Sequence, residues 1–345
     1  MSWNWFPVCL STAQSVKPEQ WSLARLNFRE EIIHPVIVEN PMYFINIIRK
    51  YPLPPSPVRG ISSSGTDYST ESHSSKSRIE SLPGELIANI FDECGLSEAI
   101  CLGLTSTQMW ARGERQINKL YLKFHAPWLD QPIICLHTQA PKLPTSALAL
   151  PLVEEAILRS GGNNEDVQDA SFAQNLVQEV LSTCKGHQID QARPDLDYKS
   201  FSKFELQYHT AYMYRLFNHK QGADAHLQKG PLLLRNLSKR IYVRSDTLAV
   251  RSGGDAAVSL CRALFCRITW GCSADLRSWL RFGLVKHPNG PWAGDCFDVV
   301  ALGACGGDWD SSSLEGWSDE TEAVKEDLIG IWEGYYNDSW AEKAW

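Results

Sequence analysis

The chain has no long hydrophobic run. No apolar stretch reaches the roughly 18 residues a membrane span needs; the best candidate, Ile32 to Ile48, is broken by His34, Pro35, Glu39 and Pro41. The start, Met1-Ser2-Trp3-Asn4-Trp5, lacks the positive segment of a secretory signal. A soluble intracellular protein, cytoplasmic or nuclear and with no membrane partner, is the expectation. Cysteine is sparse too: ten in 345 residues is far below the density of a disulfide scaffold, and none forms a Cys-x-x-Cys pair. Cys261, Cys266, Cys272, Cys296 and Cys305 cluster loosely, with no histidine at ligand spacing among them. Buried thiols are expected there, and no metal site.

The common catalytic signatures are also missing. There is no Gly-x-Ser-x-Gly elbow and no His-Glu-x-x-His pair, and His187, His209, His219, His226 and His287 are scattered. Gly303-Ala304-Cys305-Gly306-Gly307 lacks the Lys-Ser/Thr end of a phosphate loop, and Asp308 and Asp310 follow it. No catalytic residue and no cofactor are therefore expected. Positive charge is short: 33 Lys and Arg face 40 Asp and Glu, for a net charge of -7, which argues against nucleic acid as a partner. The acidity belongs to the end of the chain, where Gly306 to Trp345 holds eleven acids against Lys325 and Lys343.

What is present divides the chain near residue 78. Residues 1–78 read as an extension. Pro52-Leu53-Pro54-Pro55-Ser56-Pro57 predicts a stiff polyproline segment. Ser56 to Arg78 holds nine serines and almost no large apolar side chain, the composition of a disordered linker. From Ile79 the pattern changes. Leu86, Ile87, Ile90, Phe91 and Cys94 fall within an arc of about 140° on a helix that Ser81 would cap, Pro83 would open and Gly95 would end. A second short helix follows from Ser97 with Ala99, Ile100, Leu102 and Leu104. A third, capped by Thr105 or Ser106, carries Trp110, Ile117, Leu120 and Tyr121, with Gly113 weakening its middle. Three short helices cannot hide all of this apolar surface from one another. The surplus must meet another part of the chain or another protein.

These residues carry a resemblance. Ser81-Leu82-Pro83-Gly84-Glu85-Leu86, then Ile90-Phe91, then Leu102-Gly103-Leu104-Thr105-Ser106, ending near Tyr121, resembles an F-box over residues 79–123. The resemblance implies a docking module for the Skp-type adaptor of a Skp–Cullin–F-box ubiquitin ligase. Leu82, Pro83, Leu86, Ile90, Leu104 and Trp110 would press on the adaptor, and through it the chain would join a cullin ligase.

Residues 124–345 predict an α+β domain with a mainly antiparallel sheet and an acidic end. Expected strands are Pro132–His137, Ile241–Val243, Leu264–Trp270 and Phe297–Leu302. Expected helices begin at Pro151, run along Phe172 to Cys184, span Phe201 to His219 and return near Val324, Leu328, Ile331, Trp332 and Tyr335. Asp298 is expected to pair with Arg267 on a neighbouring strand. Arg240-Ile241-Tyr242-Val243-Arg244, Arg267-Ile268-Thr269-Trp270 and Gly290-Pro291-Trp292-Ala293-Gly294-Asp295-Cys296-Phe297-Asp298, with Gly316-Trp317 and Ile331-Trp332-Glu333, resemble the C-terminal region of a group of fungal F-box proteins without assigned chemistry. The combined expectation is a non-catalytic substrate receptor. It would tether an unidentified target protein for ubiquitin-dependent degradation, with Trp270 and Trp292 as target anchors. The alternative is a degenerate F-box protein whose C-terminal domain binds a small molecule or sugar on Trp270 and Trp292.

Overall fold

A computed structural model of the chain describes residues 5–15, 42–50, 78–138, 140–162, 166–186, 231–248, 256–271, 289–301 and 314–336. The expected polyproline segment, serine linker and Phe201–His219 helix, and the Gly303–Gly307 loop, lie outside these residues. The protein is a mixed α/β structure in two compact units. One joins Met1–Lys50, Trp128–Ile189 and Gly230–Trp345. The other comprises Tyr51–Pro127 and Asp190–Lys229.

The larger unit is built on a mixed sheet. Its strands are β1 (Trp5–Cys9), β2 (Gln14–Ser15), β3 (Pro132–His137), β4 (Lys185–Gly186), β5 (Leu232–Asn236), β6 (Ile241–Arg244), β7 (Thr269–Trp270), β8 (Asp295–Ala301) and β9 (Ser318–Asp319). The order is β4-β2-β1-β3-β8-β5-β6-β9, with β7 also on β3. The longer pairings, β1–β3, β5–β6 and β5–β8, are antiparallel, and the parallel ones involve two-residue strands. Its helices are α1 (Met42–Ile48), α5 (Thr145–Leu148), α6 (Pro151–Arg159), α7 (Ala170–Thr183), α8 (Ser245–Leu248), α9 (Ala256–Ile268) and α10 (Thr321–Tyr336).

Strand β3 shows why this sheet forms. Every residue from Pro132 to His137 is buried. Ile133 and Cys135 join a core with residues of α1, α9 and α10, whereas Ile134 and Leu136 join another with residues of α6 and α7. Successive strand side chains point to opposite faces, so a continuous apolar run is what helices on both faces of a sheet require.

The structure corrects three expectations here. Residues 1–78 are not wholly an extension. Trp5–Cys9 pairs along β3 from Trp5 opposite His137 to Cys9 opposite Ile133, and Phe44 of α1 lies edge-on to Phe265, 4.7 Å between centroids. Leu264–Trp270 is not a strand. Leu260, Cys261, Ala263, Leu264, Phe265 and Ile268 are buried at helical spacing on α9, and only Thr269 and Trp270 pair as a strand. The alternation of Leu264, Cys266 and Ile268 contains an i, i+4 pair, which fits either period. Asp298, finally, does not pair with Arg267. It faces Arg235 in the β5–β8 register and accepts from it twice, at 2.7 Å from Nε and again from Nη2. Arg267, on α9, pairs with Asp327 of α10 at 3.0 Å.

The smaller unit, where described, is a three-helix bundle: α2 (Gly84–Glu93), α3 (Leu96–Leu104) and α4 (Thr107–His125). Its core is Ile87, Phe91, Ala99, Ile100, Met109, Trp110, Ile117 and Tyr121. Ser106 caps α4, its Oγ accepting from the Met109 N–H at 3.1 Å. Ser81 does not cap α2. It donates to the Arg78 carbonyl at 2.7 Å, and Pro83 is the cap residue.

Gly103 and Gly113 are where the helices meet. A Cβ on Gly113 would lie 2.2 Å from the Phe91 ring, and one on Gly103 would lie 2.8 Å from Ile117 Cδ1. These glycines lower helix propensity but let ring and backbone approach. They are contact points, so the expected weakness at Gly113 is where α4 admits the Phe91 ring.

Candidate functional site

The apolar stripe of α2 is divided. Ile87 and Phe91 face the bundle and are fully covered. Leu86 and Ile90, about 100° round the helix from Ile87 and Phe91 respectively, are 49% and 37% exposed. Pro83 is exposed and Leu82 half-buried, while Ile79 just before them is exposed. One side of α2, with the turn before it, is an apolar face that the described residues leave open.

The turn is held from α4. Arg112 Nη1 donates to the carbonyls of Glu80 and Leu82 at 3.3 and 3.4 Å. Ser106 donates from its Oγ to Glu80 Oε1 at 2.5 Å. The backbone also closes on itself, Leu82 N–H donating to the Ile79 carbonyl at 3.1 Å and Leu86 and Ile87 N–H to the Pro83 carbonyl. The Leu82-Pro83 lip is thus clipped to the start of α4 by Glu80, Ser106 and Arg112. Sequence reasoning saw Ser106 as a cap and missed the other two, because a carbonyl acceptor 30 residues away leaves no periodic trace.

The six expected contact residues separate. Pro83, Leu86 and Ile90 are exposed; Leu82 and Leu104 are half-buried. Trp110 is only 4% exposed and belongs to the bundle core, so it offers almost no free surface. Cys94 and Cys101 are pushed above the usual thiol range, first by burial and then by the Glu98 carboxylate. This disfavours the thiolate, the form that would act as a nucleophile.

In the larger unit the two expected tryptophan anchors do not form a shared surface. Trp292 is 1% exposed, with its ring 6.0 Å from Phe297 and 5.5 Å from the Arg267 guanidinium carbon. Trp270 packs against the core on the other face and donates from Nε1 to the Lys142 carbonyl at 2.7 Å. The Gly290–Asp298 segment is architectural. A Cβ on Gly290 would lie 2.1 Å from the Arg267 carbonyl oxygen, Gly294 has φ +84°, and Trp292 N–H donates to the Arg267 carbonyl. Stacking of a sugar on Trp292 is excluded by its burial.

Among the described residues, no three His, Cys, Asp or Glu side chains gather as metal ligands, and no helix is long and apolar enough to cross a membrane. Compared with family models, curated proteins and solved structures, the chain finds no match.

Proposed function

We propose that the three-helix unit is an F-box-type docking module for a Skp-type adaptor, and that the protein is a non-catalytic substrate receptor of a cullin ubiquitin ligase. The observation that carries this reading is the open side of α2: Leu86 and Ile90 remain 49% and 37% exposed beside the exposed Pro83. Each large aliphatic side chain left in water forfeits roughly 1.5–3 kcal/mol against full burial. Covering several together supplies a docking energy that the fold itself does not use. The motif Leu82-Pro83-x-Glu85-Leu86 lies along the turn and first residues of that side.

The larger unit then holds the target protein, and the mechanism is tethering. A bound target is kept at high effective concentration near the ligase's catalytic partner, and the receptor forms no covalent bond itself.

The test is a pull-down of the full chain with a purified Skp-type adaptor. Leu82→Ala with Pro83→Ala is expected to abolish co-purification while the circular dichroism spectrum stays that of the unaltered protein. Undiminished recovery of the adaptor would overturn the reading.

A further inference from the structure

The longest described helix carries a feature that the apolar face does not account for. Along α4, Arg112, Arg115, Lys119 and Lys123 are all exposed. At 100° and 1.5 Å per residue they fall within an arc of about 80° over about 16 Å. Glu114, the only acid of the helix, stands outside that arc. Arg115, Lys119 and Lys123 have no ion pair among the described residues. Like charges at i, i+4 repel one another, and this chain has more acids than bases with which to neutralise them. Lys123 gains from the helix dipole at the C-terminal end, but Arg115 and Lys119, in the middle, gain nothing from it.

The stripe begins where the apolar face begins. Arg112 donates to the carbonyls of Glu80 and Leu82, the residues leading into Pro83. Oily and basic surfaces thus adjoin at one turn. We propose that the protein partner covering the open side of α2 also carries an acidic strip, which lies against Arg115, Lys119 and Lys123. This inference rests on the docking reading and names the chemistry of the partner's second contact. Arg112 is the positioning residue that joins the two surfaces. A protein surface fits better than a nucleic acid. Phosphates would offer nothing to the exposed Leu86 and Ile90. Charges at the edge of an interface act mainly on the rate of association and on its salt dependence.

The experiment uses the full chain and a purified Skp-type adaptor, with association followed by stopped flow at low and high salt. Arg115→Glu, Lys119→Glu and Lys123→Glu together are expected to slow association about 10–100-fold at low salt, with little change in dissociation. Raising salt should slow the unaltered protein by about tenfold and leave the triple variant nearly unchanged. Leu86→Asp should weaken binding at every salt concentration while keeping the salt dependence. Should the Glu variant lose its helical spectrum, the corresponding triple Gln variant carries the test, with a smaller slowing in the same direction. Association of the folded triple variant at the unaltered rate would overturn the acidic-strip inference and leave the docking reading standing. No adaptor binding by the unaltered protein at any salt would overturn both. Binding of a single-stranded RNA by the unaltered protein and not by the triple variant would assign the stripe to phosphates, and overturn the inference in that way.

Discussion

The two units handle apolar side chains in opposite ways. In the larger unit the sheet is covered on both faces, and Leu158 is the one strongly exposed large hydrophobe among its described residues. The bundle is far smaller, yet Ile79, Leu86, Ile90 and Phe124 are all exposed on it. Small size explains part of this, since a short chain cannot bury much of its surface. It does not explain why Leu86 and Ile90 share one side of α2, beside a turn fastened by Ser106 and Arg112 from α4 and its cap. The larger unit buries nearly all of its described large apolar side chains, and the bundle leaves several in water.

Experiments can break or sharpen this contrast. The largest effect is expected in the larger unit. Asp298→Ala leaves the Arg235 guanidinium buried without its carboxylate, and loss of one partner of a buried pair costs about 3–5 kcal/mol. Urea denaturation should show it, and Arg235→Met with Asp298→Leu should recover most of the loss. In the bundle, Gly113→Ala would drive a methyl group into the Phe91 ring. Overpacking of this kind costs about 1–3 kcal/mol, although alanine is the better helix former by about 1 kcal/mol; a thermal melt gives the sign. Ser106→Ala removes the cap of α4 and the hydroxyl that donates to Glu80, for about 1 kcal/mol.

Alkali bears on thiols of both units, and most clearly on those of the larger one. Burial pushes the Cys184 and Cys266 thiols of the larger unit up to about 12. Their folded values lie above the unfolded value of 9.0, so the fold favours the protonated thiol. That stability is complete below pH 9 and lost as pH rises from 9 towards 12. Denaturant midpoints measured across this window should fall, and Cys184→Ser with Cys266→Ala should flatten the decline. Smallest of all is the stability change expected for Leu86→Asp with Ile90→Asp, within about 0.5 kcal/mol as for other exposed positions. The same variant should lose adaptor binding, which would separate the open side of α2 from the stabilising core.

Much of this architecture was legible where one period dominated. The stripe Phe172–Cys184 predicts α7, the Pro151 start predicts α6, and the continuous run Pro132–His137 predicts β3. Leu264–Trp270 misled because apolar residues two apart are also four apart on a helix. Trp110 enters the expected contact set through the resemblance alone, and an apolar stripe marks which residues are apolar but not how a wide stripe divides between core and solvent. On α2 that division falls between Leu86 and Ile87, one residue apart. The participation of Trp5–Cys9 in the sheet was hidden because its partner strand lies more than 120 residues away. The Glu80–Ser106–Arg112 clip was hidden for the same reason at shorter range.

That long-range pairing has a consequence for how the protein is made. Residue contacts close in sequence form early, whereas distant ones wait for chain to be supplied. The bundle's described helices are complete by His125, but β1 needs β3, β3 needs β8, and β6 needs β9 at Ser318–Asp319. On the ribosome the helices can therefore mature while most of the sheet is still untranslated, and the first strand, paired early only with the short β2, must wait for β3 to emerge on its other edge.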